Sequence, residues 1–97
     1  MLDKIKQLME IKKQADQIKR ELDKTEIESS EVRGIKIVVN GSLEIRSLEL
    51  AENLLSPANK NNLERDLLRG INAAIRKAQN VAAHKMKDIM PGFPGLS

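Results

Sequence analysis

The side chains able to do chemistry in this 97-residue chain are few in kind: seventeen lysines and arginines, fourteen aspartates and glutamates, and one histidine, with no cysteine. With His84 the single histidine, cysteine–histidine pairs and multi-histidine zinc sites are excluded. Gly34, Gly41, Gly70, Gly92 and Gly95 compose neither a phosphate-binding loop nor a dinucleotide fingerprint. Glu26, Glu28, Glu31, Glu44 and Glu49 fall on expected strands, at solvent-facing or edge positions, where a general acid or base has no shielded site. His84, beside Lys85, reads as a solvated helix residue. The sequence predicts no catalytic residue, no metal, no cofactor and no small-molecule substrate.

What remains is positive charge, and it is unevenly placed. Residues 1–24 hold seven basic and five acidic groups, a net +2; residues 25–55 hold three and six, a net −3; residues 56–97 hold seven and three, a net +4. From Arg69 to Lys87 there are five basic residues and no acid. Charge separated in this way is an argument about partners. Phe93 is the one aromatic residue, which argues against reading single strands by base stacking. Contacts from lysine and arginine to phosphate would instead be weakly sequence-specific and strongly salt-dependent.

The elements that must carry these residues follow from periodicity. Leu8, Ile11, Ala15, Ile18 and Leu22 keep a three-four spacing that predicts a first helix over 2–23, with Lys6, Lys13 and Arg20 every seven residues on another face. Residues 25–32 predict an edge strand whose glutamates discourage edge-to-edge pairing. Arg33-Gly34 reads as a tight turn. Ile35, Ile37 and Val39 alternate on one face of a second strand. Asn40-Gly41 then predicts a two-residue type I′ hairpin turn. Leu43 to Leu50 return, with a phase slip that places a bulge or strand end near Arg46-Ser47.

Ser56-Pro57 reads as a helix start, but the asparagine-rich run 59–62 delays the helix proper to about Asn62. From Leu63 to Ile89 an apolar stripe then continues for about 40 Å, alanine-rich in its second half. A helix of that length outruns a domain of this size and calls for a partner, in this chain or another. Residues 91–97 form a Pro/Gly tail, expected to be flexible. The apolar runs are too short to span a membrane, no secretory signal is visible, and the lack of cysteine fits a reducing cytoplasm.

The order of motifs resembles the YbaB/EbfC family of nucleoid-associated proteins. The residues that carry the likeness are Gly34-Ile35-Lys36-Ile37-Val38-Val39-Asn40-Gly41, then Ile45-x-x-Leu48-x-Leu50 and Leu54-Leu55. They continue as Leu63-Glu64-x-Asp66-Leu67, Gly70-Ile71-Asn72-Ala73-Ala74, Lys77-Ala78, Lys85-Met86 and the Pro-Gly-Phe-Pro-Gly-Leu tail. The likeness spans nearly the whole chain. It departs at the amino terminus, which is short and lysine-rich here, and before the second strand, where a glycine-rich segment shrinks to Gly34.

The resemblance implies an α+β domain over residues 1–90, with α-β-β-β-α order, forming a homodimer whose paired long helices project like tweezers. It also implies non-enzymatic binding of double-stranded DNA through basic residues of the terminal helices, in the nucleoid of the cytoplasm, contributing to nucleoid organisation or gene regulation. By placement the DNA-binding candidates are Lys12, Lys13, Lys19, Arg20, Arg69, Arg76, Lys77, Lys85 and Lys87, of which Lys77 and Lys85 fall on the matched pattern. The dimer seam is expected along Ile71, Ala74, Ala78 and Ala82. The alternative is a protein–protein interaction module that uses the same amphipathic helices with no direct DNA role.

Overall fold

The computed structural model describes residues 2–89, so the expected tail lies outside the described residues. Its elements run α1 (Leu2–Lys24), β1 (Glu26–Ser29), β2 (Ile35–Asn40), β3 (Ile45–Leu50) and α2 (Lys60–Ile89), with two single 3₁₀ turns between β3 and α2. This is the α-β-β-β-α order of an α+β domain. The radius of gyration is 18.5 Å and the long axis measures 67 Å. A compact chain of this length would have a radius of about 12.5 Å. The helices project.

α1 forms because Leu2–Lys24 contains strong helix formers and neither glycine nor proline. Asp3 in its first turn and Lys24 in its last oppose the helix dipole correctly. Thr25 closes its carboxyl end: the hydroxyl donates to the Glu21 carbonyl at 2.7 Å, and the amide donates to that of Leu22 at 3.2 Å.

The three strands make an antiparallel meander in the order β1-β2-β3. The Arg33-Gly34 turn is present, with Gly34 at φ +86° and the Ile35 amide donating to the Val32 carbonyl, a type II arrangement that glycine suits. The expected two-residue turn at Asn40-Gly41 is not what forms. Asn40 and Glu44 close a three-residue loop, and the residue with positive φ is Leu43, at +65°. That is a turn followed by a left-handed residue and a bulge, the next most common hairpin. Gly41 is needed for space, since a Cβ there would lie 2.9 Å from the Leu22 carbonyl oxygen. The phase slip is real: Val38 pairs with Ser47 and Val39 with Ile45, leaving Arg46 as the extra residue.

The core lies between the sheet and α2. Ile27, Val32, Ile35, Ile37 and Val39 pack on Ala74 and Ala78, with Leu50, Leu54, Leu63, Leu67, Ile71 and Val81 around them. α2 starts at Lys60, earlier than the asparagine run suggests, and Ser56 makes no side-chain cap. Asn59 instead donates from its side chain to the Leu54 carbonyl at 2.9 Å, tying the helix start to the 3₁₀ turn that follows β3.

Candidate nucleic-acid interface

At 100° per residue, four cations of α2 fall within about 40° of one another on the helix circumference: Arg65, Arg69, Arg76 and Lys87. Ala74, fully buried on the sheet, lies on the far side of the same helix. The row therefore faces away from the core, is exposed throughout, and runs about 33 Å. Asn72, Gln79 and Asn80 flank it, and no carboxylate lies within its width. At its amino end Asn59, Asn62, Arg65, Asp66 and Arg69 line an open groove of about 430 Å³. Arg69 reaches Asp66 at 3.4 Å, a solvent-exposed pair of the kind that holds its cation only weakly.

α1 carries a second row. Lys6, Lys13, Arg20 and Lys24 share one side of the helix, again within about 40°, over about 27 Å. Lys12 and Lys19 lie roughly a third of a turn round from it. Lys19 is 3.3 Å from Asp23, the lysine largely solvated and the aspartate half-buried. Asp23 itself is held below the ordinary carboxylate range, first by the Ser42 hydroxyl and then by Lys19.

The sequence-derived candidates thus separate by position. Lys13 and Arg20 belong to the α1 row, and Arg69, Arg76 and Lys87 to the α2 row. Lys77 points elsewhere: its Nζ donates to the Glu28 carbonyl at 2.7 Å and ties α2 to the edge strand. Lys85 is half-buried on the side of the helix that carries Ala74 and Ala78. Arg65, Lys6 and Lys24 complete the rows but are not among the candidates. Arg65 escapes because Glu64 and Asp66 flank it in sequence. Its spacing of four from Arg69 and eleven from Arg76 is the signal that finds it.

Among the described residues no group of three or more histidine, cysteine or acidic side chains is placed to hold a metal ion. No described helix is long and apolar enough to cross a membrane.

Residues 1–93 match the family model of the YbaB/EbfC DNA-binding family. The chain belongs to that family. A nucleoid-associated protein of Chloroflexus aurantiacus is 31% identical over 88 residues, covering 90% of this chain and 88% of the relative. One from Pelotomaculum thermopropionicum is 30% identical over 95 residues, covering 95% and 90%. Among solved structures, an uncharacterized protein from Helicobacter pylori superimposes with a TM-score of 0.66 at 19% identity, over 86% of this chain and 98% of that one. That likeness shows that the YbaB/EbfC chain described here shares its fold with a second protein.

Proposed function

We propose that this chain binds double-stranded DNA without catalysing a reaction, through phosphate contacts of weak sequence specificity, as a homodimer in the nucleoid. The observation that carries the reading is the carboxylate-free row Arg65–Arg69–Arg76–Lys87, set opposite the core in a chain of a DNA-binding family. A straight row of guanidinium and ammonium groups matches a line of phosphates and carries no base code.

The test is a mobility-shift titration on an arbitrary duplex across a salt series, with Arg65, Arg69 and Arg76 replaced together by glutamine. Each phosphate that is no longer neutralised should reduce the slope of log affinity against log salt by about one. A folded triple variant with an unchanged slope would remove the α2 row from the interface.

The homodimer reading has its own support. Ile45 and Leu48 pair across the sheet with Val39 and Ile37, so they face the α2 side, yet they are 46% and 45% exposed. Lys77 marks the β1 flank of α2; Leu68, Ile71, Ile75 and Ala82 lie on the other flank. Together with β3 they leave an open apolar trough, which a second copy would close. Ala74 and Ala78, expected in the seam, are fully covered by the chain's own sheet and have no surface left to offer. Of that expected set, Ile71 and Ala82 stay partly exposed. Leu48→Glu should halve the mass measured in solution by light scattering; a dimer of unchanged mass places the seam elsewhere.

The bare apolar stripe of α1, with Ile5, Leu8 and Ile11 more than half exposed, favours a second reading in which the arms grip a protein. Absence of any DNA shift at low salt would favour it over the first.

A further inference from the structure

Asn40 is the only asparagine in the chain that precedes glycine. In such a pair the backbone nitrogen of the glycine has no neighbouring side chain to obstruct it, so it can attack the asparagine amide carbon. Glycine is required here for another reason, the close approach of the α1 carboxyl end. The fold therefore carries a labile pair as the consequence of a packing need.

Both nitrogens of that reaction are held, and three of their four acceptors lie in the last turn of α1 or in Thr25 just beyond it. Asn40 is 1% exposed. Its Nδ2 donates to the Asp23 carbonyl at 3.4 Å and to Glu44 Oε1 at 3.0 Å. Its Oδ1 accepts from the amides of Ser42 and Glu44 at 3.0 and 2.9 Å, which fixes the plane of the amide. The Gly41 nitrogen, the would-be nucleophile, donates to the carbonyls of Leu22 at 2.9 Å and Thr25 at 3.0 Å. Leu22 and Asp23 belong to the last turn of α1, and Thr25 follows it. The Ser42 hydroxyl adds a hydrogen bond to the Asp23 carboxylate. α1 contributes no buried residue along its length, so it stands at the low-stability end of the molecule, where local opening is easiest.

We propose that Asn40-Gly41 is a deamidation site gated by the root of α1: closed while the helix is seated on the hairpin, and open when it lifts. On opening, the Gly41 nitrogen gives up its proton to water or hydroxide and forms a bond to Cγ of Asn40. The Cγ–Nδ2 bond breaks and the nitrogen leaves as ammonia. Water then opens the cyclic imide at either carbonyl, giving aspartate or its isomer with the backbone rerouted through the side chain. Nothing is oxidised or reduced. The new carboxylate lies beside Glu44 Oε1, with no Nδ2 left to donate to it or to the Asp23 carbonyl. Like charge and a missing donor then oppose reseating, so the event is one-way: it releases the arm that carries Lys6, Lys13 and Arg20. The gate operates whether or not the chain binds DNA.

The full-length protein, incubated near neutral pH and mapped by peptide mass spectrometry, tests it. In urea that unfolds the chain, Asn40 should react before Asn53, Asn59, Asn61, Asn62, Asn72 and Asn80. In the native protein it should react at least about tenfold more slowly, the protection given by a local opening equilibrium. The native rate should climb at urea concentrations below the global transition, in step with hydrogen exchange of the last α1 amides. Asp23→Ala, which leaves the reacting pair intact, should raise the rate and that exchange together. A native rate equal to the unfolded one would overturn the gate. So would a rate that rises only with global unfolding, or an Asp23→Ala protein with fast α1 exchange and an Asn40 as protected as before.

Discussion

α2 buries Gly70, Ala74 and Ala78 against its own sheet, while α1 buries no residue fully and half-buries only Ile18, Glu21, Leu22 and Asp23 near its carboxyl end. The small residues of α2 let the helix come close enough for Ile37 and Val39 to be almost wholly enclosed. α1 has its large apolar residues in a regular stripe, but only Ile18 and Leu22, near its carboxyl end, are half-buried, while Leu2, Ile5, Leu8 and Ile11 find no surface opposite them in the chain. A periodic stripe specifies a helix; whether it is covered depends on what the rest of the chain can bring to it. The two helices also differ in attachment. α2 is held from Leu63 to Val81 by apolar packing, and α1 is held at its carboxyl end by hydrogen bonds to a hairpin and by contact with α2.

Substitutions can break this contrast. The largest expected effect is Ala78→Asp, which places an unpaired charge in the core and should cost at least about 3 kcal/mol, enough to unfold a small domain; circular dichroism at room temperature would show it. Two glycines give opposite signs. Gly41→Ala forces a Cβ to within 2.9 Å of the Leu22 carbonyl oxygen, and should destabilise the chain by about 1–3 kcal/mol with faster exchange of α1 amides. At Gly70 an added Cβ meets Ile37 and Val32 at 3.4 and 3.5 Å, ordinary contact. Gly70→Ala should therefore stabilise by about 1 kcal/mol, the gain in helix propensity, read as a higher midpoint in urea.

Leu43→Gly relieves a left-handed leucine and should raise stability by about 0.5–1 kcal/mol, the strain relieved less the added freedom of glycine when unfolded. The smallest effect is on acidification. The folded-state pKa of Asp23 is lowered, so its contribution is complete above about pH 4 and is lost as the pH falls through the lowered value. Amide shifts of Asp23 and Ser42, where α1 meets the hairpin, should move as the pH falls through that lowered value.

The helices, the alternation of β2 and the slip at Arg46 were legible because each is a local periodic signal. The hairpin was not, because Asn40-Gly41 has the composition of one turn and the contacts of another. Its asparagine is a hub for α1, and its glycine makes room for a carbonyl from a residue 19 positions earlier. The covered state of Ala74 and Ala78 was equally hidden, since an alanine stripe reads the same whether it meets a sheet or a second chain. In the candidate site, counting acids along the sequence found Arg69 to Lys87, but only the helix circumference separates Arg65, Arg76 and Lys87 from Lys77 and Lys85.

The seating of α1 by its carboxyl end alone makes the helix a lever with its pivot at Leu22–Thr25. Over its length of about 34 Å, a tilt of roughly 10° at that pivot swings the far end by about 6 Å, nearly two phosphate steps along one strand of DNA. A hydrogen-bonded pivot a few ångströms across thus sets the aim of charges several turns away. On the proposed DNA reading, stiffness at Asn40 and Gly41 becomes accuracy at Lys6.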